Sequence, residues 1–150
     1  MAGDTGSSTR PTPAEDSVRV QRWFPGNAAA IPQARDWVSR AAVSSGHAPL
    51  AATVELLVSE LATNAVRYAH GGRFSVEFDA DGLLLVAVCD TNTTAPMPRR
   101  SAPNDEDGRG LTIVGALSDR WGAEVHRDGK CVWFQLEEPV PTVRPSHSRT

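Results

Sequence analysis

No apolar run in this 150-residue chain approaches the ~20 residues that a membrane helix needs. The N-terminus is polar and lacks the apolar core of a signal peptide. Only two cysteines are present, Cys89 and Cys131. Both sit in apolar, strand-like stretches, where buried reduced thiols are expected. The four histidines are scattered, with no spacing that suggests zinc. The formal net charge is only −3, which excludes a global attraction to nucleic acid or anionic membrane. There is no internal repeat. These scarcities predict a cytoplasmic protein with no direct nucleic-acid or membrane partner. What is present is a 40% hydrophobic chain of a length that suits one domain with a real core.

The chain is organised around residues 54–70, VELLVSELATNAVRYAH. Val54, Leu57, Val58, Leu61, Ala65 and Tyr68 recur at helical spacing and form one apolar stripe. Glu60 and Asn64 lie one turn apart on a neighbouring stripe, about 6 Å along the axis. From the residues alone two readings stay open. One is a solvated polar edge. The other is a metal and nucleotide site, because a carboxylate can take a proton from a nucleophile and an amide oxygen is a hard Mg²⁺ ligand.

Residues 1–16 are rich in Gly, Ser, Thr and Pro and are expected to be a disordered tail. Residues 18–24 read as an edge strand ended by Pro25, Gly26 and Asn27. A helix is predicted over 31–45, with Pro32 in its first turn. Ala34, Trp37, Val38, Ala41 and Ala42 would be its buried face, and Gly46 its terminator. His47 reads as a surface or cap residue. Phe74, Val76 and Phe78 alternate with polar residues, which predicts a strand with one buried face. The continuous apolar run 83–89, after an Asp-Gly turn, predicts an interior strand paired with it. Residues 91–108 carry three prolines and no apolar periodicity, which reads as a functional or disordered loop. A short helix is predicted over 111–119, ended by Gly122. A hairpin follows, 123–127 and 130–137 about Asp128-Gly129. Residues 139–150 are a second expected loose tail.

Three polar stations fall at element ends: Glu60 with Asn64, Asp90 at the close of the interior strand, and Gly108-Arg109-Gly110-Leu111 before a helix. Glycines at a helix start let backbone N–H groups approach phosphate oxygens. Asp90 could accept a hydrogen bond from a base's amino group. An Asp ending a strand is more often a turn residue, and a Gly-x-Gly more often a loop hinge. Other nucleotide signatures fail. Ala116 and Leu117 stand where a phosphate loop needs Lys and Ser or Thr, and Ile113 replaces the third glycine of a dinucleotide fingerprint. The acidic 104–107 segment lacks a calcium loop's pattern.

SELATNAVRYA resembles the N box of the GHKL ATPase and kinase superfamily, and DEDGRGLTIVGALSDRWG resembles its second glycine box. With the closing DGKCVWFQL strand, the order is similar to the small anti-sigma-factor serine/threonine kinases and related ATP-binding regulators of high-GC bacteria. The resemblance covers residues 17–138, between the two tails. It implies the Bergerat fold, a two-layer α/β sandwich with a mixed sheet covered by helices on one face. It implies ATP and Mg²⁺ as cofactors. Glu60 matches the catalytic carboxylate, Asn64 the Mg²⁺ ligand and Asp90 the reader of the adenine amino group. Residues 91–107 match the ATP lid. Gly108 and Gly110 match the glycines at the polyphosphate, with Arg109 and Leu111 in the same segment. Asn92 stands where the first glycine box has glycine, and Asn tolerates left-handed backbone angles. Cys131 stands where the last strand has a Thr near the adenine, so a hydroxyl partner is expected to be lost.

The function so implied is a serine/threonine protein kinase that binds a sigma factor and phosphorylates an anti-anti-sigma antagonist. The alternatives are a non-catalytic ATP-dependent binding module of the same fold and a purely structural interaction protein. A sensor histidine kinase is disfavoured, because the chain leaves no room for a helical phosphoacceptor domain. Related proteins can dimerise, so a homodimer is compatible with the resemblance.

Overall fold

The chain passes through β1 (Val18–Pro25), α1 (Ala30–Ser44), a 3-10 turn (Ala48–Leu50), α2 (Ala51–Tyr68), β2 (Arg73–Ala80), β3 (Leu83–Asp90), α3 (Glu106–Leu117), β4 (Arg120–His126) and β5 (Gly129–Glu137). The structure is a computed structural model and describes residues 10–12, 18–68, 72–80, 83–91 and 106–137. The strands form one sheet in the order β1-β2-β3-β5-β4, with β1 at an edge as its sequence predicts.

Every pairing in the described sheet is antiparallel, so the expected mixed sheet is corrected on this point. The connections explain it. Two helices separate β1 from β2, and this double crossover returns the chain to run against β1. One helix separates β3 from β4, which therefore run the same way, and β5 runs between them against both. The two-layer α/β sandwich itself is as the resemblance implies.

Strand alternation sorts the sheet into two faces. Phe74, Val76 and Phe78 of β2, Leu84, Val86 and Val88 of β3, and Val132, Phe134 and Leu136 of β5 join the helices in the main core. Ala87, Cys89, Cys131 and Trp133 cluster on the opposite face. Burial on both faces is why β3 reads as an unbroken apolar run. Phe24 stacks on Phe74 with ring centroids 5.4 Å apart. Each such buried side chain contributes about 1.5–3 kcal/mol.

The helices follow their patterns closely. α1 buries Ala30, Ala34, Val38 and Ala42, with Trp37 and Ala41 half-buried beside them. This small-residue row lets α1 lie close against α2. Gly46, at φ +91°, ends α1, and the next amide, from His47, donates to Ala42 O at 2.8 Å. The left-handed angle is what glycine supplies at a helix end. His47 is the N-cap residue of the 3-10 turn, the cap position its sequence offers, and it is buried rather than at the surface. α2 buries Val54, Leu57, Val58, Leu61, Ala62 and Ala65. Among the described residues no helix is long and apolar enough to cross a membrane.

Two expectations from the C-terminal half are corrected. The third helix spans Glu106–Leu117, not 111–119. It ends early because the Asp119 amide joins the sheet, donating to Gln135 O at 2.9 Å. Gly122 does not stop a helix but lies within β4, opposite Trp133. Likewise the cysteines are not free thiols: Cys89 and Cys131 are joined by a disulfide. They are register partners on β3 and β5, with Cα atoms 3.9 Å apart. A separation of 42 residues hides that proximity from the sequence.

Candidate functional site

Asp90 ends β3 and shares the helix-side face with Phe74 and Val88. Its partner across the sheet is Lys130 of β5. Lys130 Nζ donates to Asp90 Oδ2 at 2.8 Å, and both side chains are buried. A carboxylate taken out of water needs such compensation. The sequence reading named Asp90 and missed Lys130, whose charge directly before the apolar run 131–134 was the available signal.

Gly129 holds this pair in place. Its φ is +156°, and a Cβ there would collide with the Asp90 carbonyl oxygen. The residue read only as a hairpin turn is thus also the point where the two strand ends touch. Cys131 does not face Asp90. It points to the opposite face and is bonded to Cys89. The expectation that Cys131 leaves a hydroxyl vacancy beside the adenine reader is therefore corrected: one residue along a strand reverses the face, and Lys130 is the residue on the Asp90 side.

Glu60 and Asn64 are both half-buried on α2, one turn apart, flanking the buried stripe. Among the described residues neither side chain has a hydrogen-bond or ion-pair partner. α2 packs against both β3 and α3, the elements that carry the other two stations. The backbone of Gly108, Arg109 and Gly110 is already helical, in the first two turns of α3. Glycine costs only about 1 kcal/mol within a helix, which is how a Gly-x-Gly read as a hinge can be helical. Leu111 is buried in the main core, where it anchors that end of α3. Thr91 is exposed, and Asn92 with the rest of the expected lid up to residue 105 lies outside the described residues.

Residues 24–136 match the family model of the histidine kinase-like ATPase domain. The chain belongs to this family. No curated protein matches it. Membership makes it a kinase-like domain of the ATP-binding type.

The residues of this ATPase domain fit a nucleotide. A buried carboxylate at a strand end suits a base's amino group, and half-buried Glu60 and Asn64 offer uncommitted oxygen atoms among the described groups. The first turn of α3 presents backbone N–H groups that a helix leaves unbonded, and the helix dipole favours an anion there.

Proposed function

We propose that this domain is a cytoplasmic serine/threonine protein kinase of the anti-sigma type. It would bind a sigma factor and phosphorylate an anti-anti-sigma antagonist protein. The observation that carries this reading is the one-turn pairing of half-buried Glu60 and Asn64 on the core-anchored α2 of a histidine kinase-like ATPase domain. Bound Mg·ATP would supply the phosphoryl group and the positive charge that offsets charge build-up during transfer.

The chain's own residues have separable tasks. Glu60 takes the proton from the substrate hydroxyl. The Asn64 carboxamide oxygen is the group for Mg²⁺. Asp90, steadied by Lys130, accepts from the adenine amino group. The N–H groups of the first turn of α3, that of Gly108 among them, receive phosphate oxygens. α2 keeps Glu60 and Asn64 in fixed relation because six neighbouring side chains lock it to the core.

One observation favours a second reading, a non-catalytic ATP-dependent binding module. The Asp90 carboxylate is already engaged by Lys130 at 2.8 Å, which limits the oxygen available for base recognition. The deciding experiment titrates the protein with ATP, with and without Mg²⁺, and follows candidate antagonists by intact mass. A mass gain of one phosphate on a serine or threonine supports the kinase. Steady ATP binding with no phosphoprotein supports the module.

A further inference from the structure

The sheet face opposite the helices carries a second set of reactive groups, separate from the nucleotide stations. Glu77 of β2, Cys89 of β3, Cys131 of β5, and Glu124 and His126 of β4 all project from it. Register explains the grouping: Cys89 lies opposite Cys131, and Cys131 opposite Glu124. The ligand atoms of Glu77, Cys89 and Cys131 all lie within 4.8 Å of one another, and so do those of Glu124, His126 and Cys131. His126 Nε2 is 3.2 Å from Glu124 Oε1. That matches the edge of a tetrahedron, about 3.3 Å, built with bonds of ~2.0–2.1 Å.

We propose that, with the disulfide reduced, this face binds one Zn²⁺ through Cys131, His126 and Glu124, whose ligand atoms already lie together, with the Cys89 sulfur turning in as the fourth ligand once it is freed from Cys131, and that oxidation of the two thiolates releases the metal. Donor chemistry selects the ion. Two thiolates and an imidazole with one carboxylate suit zinc in a closed tetrahedral site, whereas Mg²⁺ and Ca²⁺ want oxygen ligands.

The cluster already demands positive charge. Arg10 Nη1 lies 2.8 Å from Glu77 Oε1, and its Nε lies 3.3 Å from Glu124 Oε1. The Arg10 backbone N–H donates to Glu124 Oε2 at 3.0 Å. Glu124 Oε1 thus serves both Arg10 and His126. In the disulfide form Arg10 compensates both carboxylates, and in the reduced form the metal takes its place at Glu124. His126 is 56% exposed and leaves the cluster open to solvent on the β4 side.

The redox step balances with hydrogen peroxide as oxidant. One thiolate attacks a peroxide oxygen and breaks the O–O bond, leaving a sulfenic acid and a hydroxide. The second thiolate attacks that sulfur, forms the S–S bond and expels a second hydroxide. The two sulfurs lose two electrons together, two protons convert both hydroxides to water, and zinc leaves as Zn²⁺ without changing its oxidation state. A dithiol reverses the step by thiol–disulfide exchange.

The test uses the full chain, reduced with a phosphine and freed of reductant. Zn²⁺ is titrated against a chromogenic chelator, and Co²⁺ serves as the spectroscopic probe. The expected result is one metal per reduced chain, with thiolate-to-cobalt charge-transfer bands, and none after hydrogen peroxide. Peroxide added to the zinc-loaded chain should release one equivalent. His126→Ala changes an exposed side chain and should weaken zinc binding at least about tenfold with unchanged far-UV circular dichroism. Arg10→Ala should tighten binding by removing the competing cation. A reduced chain that takes up no zinc, equal uptake by the oxidised chain, or a His126→Ala variant that binds as tightly as the parent would overturn the proposal.

Discussion

Lys130 Nζ and Asp90 Oδ2 lie 2.8 Å apart in a pair less than a tenth exposed on either side. The pair joins the ends of β3 and β5, forty residues apart in sequence. Removing one member of a buried ion pair strands the other charge, at a cost of about 3–5 kcal/mol. Lys130→Met should therefore unfold at clearly lower urea concentration than the parent. Adding Asp90→Asn to it should recover a large part of the loss. A double variant whose destabilisation equals the sum of the two singles would show that the charges are not coupled.

Asp90→Asn by itself tests base recognition. It should weaken ATP binding by about 1.5–3 kcal/mol and GTP binding far less, because the carboxylate is assigned to the adenine amino group. Calorimetry on the folded variant decides it, and unchanged ATP affinity removes Asp90 from the site.

Gly129→Ala should damage the same corner from the backbone side. The added methyl meets the Asp90 carbonyl oxygen, and φ +156° is poorly tolerated by alanine. The variant should lose about 1–3 kcal/mol of stability and, by displacing Asp90, weaken ATP binding. Parent-like stability in chemical denaturation would mean that the strand ends can separate without cost.

The two polar groups of α2 should fail in different ways. Glu60→Gln should leave Mg·ATP binding nearly intact and slow transfer to the antagonist by roughly 10²–10⁴-fold. Asn64→Ala should first lose the Mg²⁺-dependent part of binding, with transfer falling as a consequence. Both should fold normally, because neither residue belongs to the buried stripe of α2. If Glu60→Gln transfers phosphate at the parent rate, the base lies elsewhere.

The disulfide closes a long loop, 42 residues along the chain. Loop-closure entropy for that length corresponds to about 4 kcal/mol. Reduction in the presence of a chelator, or Cys89→Ser with Cys131→Ser, should lower the urea midpoint accordingly. Midpoints that coincide with and without reductant would show that the bond does not constrain the unfolded chain.

Much of this was legible because helices and strands write their buried faces into local spacing. The six-residue stripe predicted for α2 needs only the 3.6-residue period, and all of it but half-buried Tyr68 is in the core. The alternation of Phe74, Val76 and Phe78 and the unbroken run of β3 likewise report one or two covered faces. Glu60 and Asn64 stood out as a polar pair beside the apolar stripe of α2, and Asp90 because it stops the apolar run of β3. α3 was less legible, since two glycines in its first turns cost a helix little and nothing local shows that packing makes up the difference.

The sequence by itself determined the elements, the faces they bury and the family to which the chain belongs. Tertiary structure decided which residues meet. Whether Lys130 or Cys131 stands beside Asp90, and whether two cysteines face each other, depends on the register between β3 and β5. A slip of one residue would exchange the two faces and every pairing on them. That register is a contact between segments about forty residues apart, set by the whole core at once, and no local period in the chain encodes it.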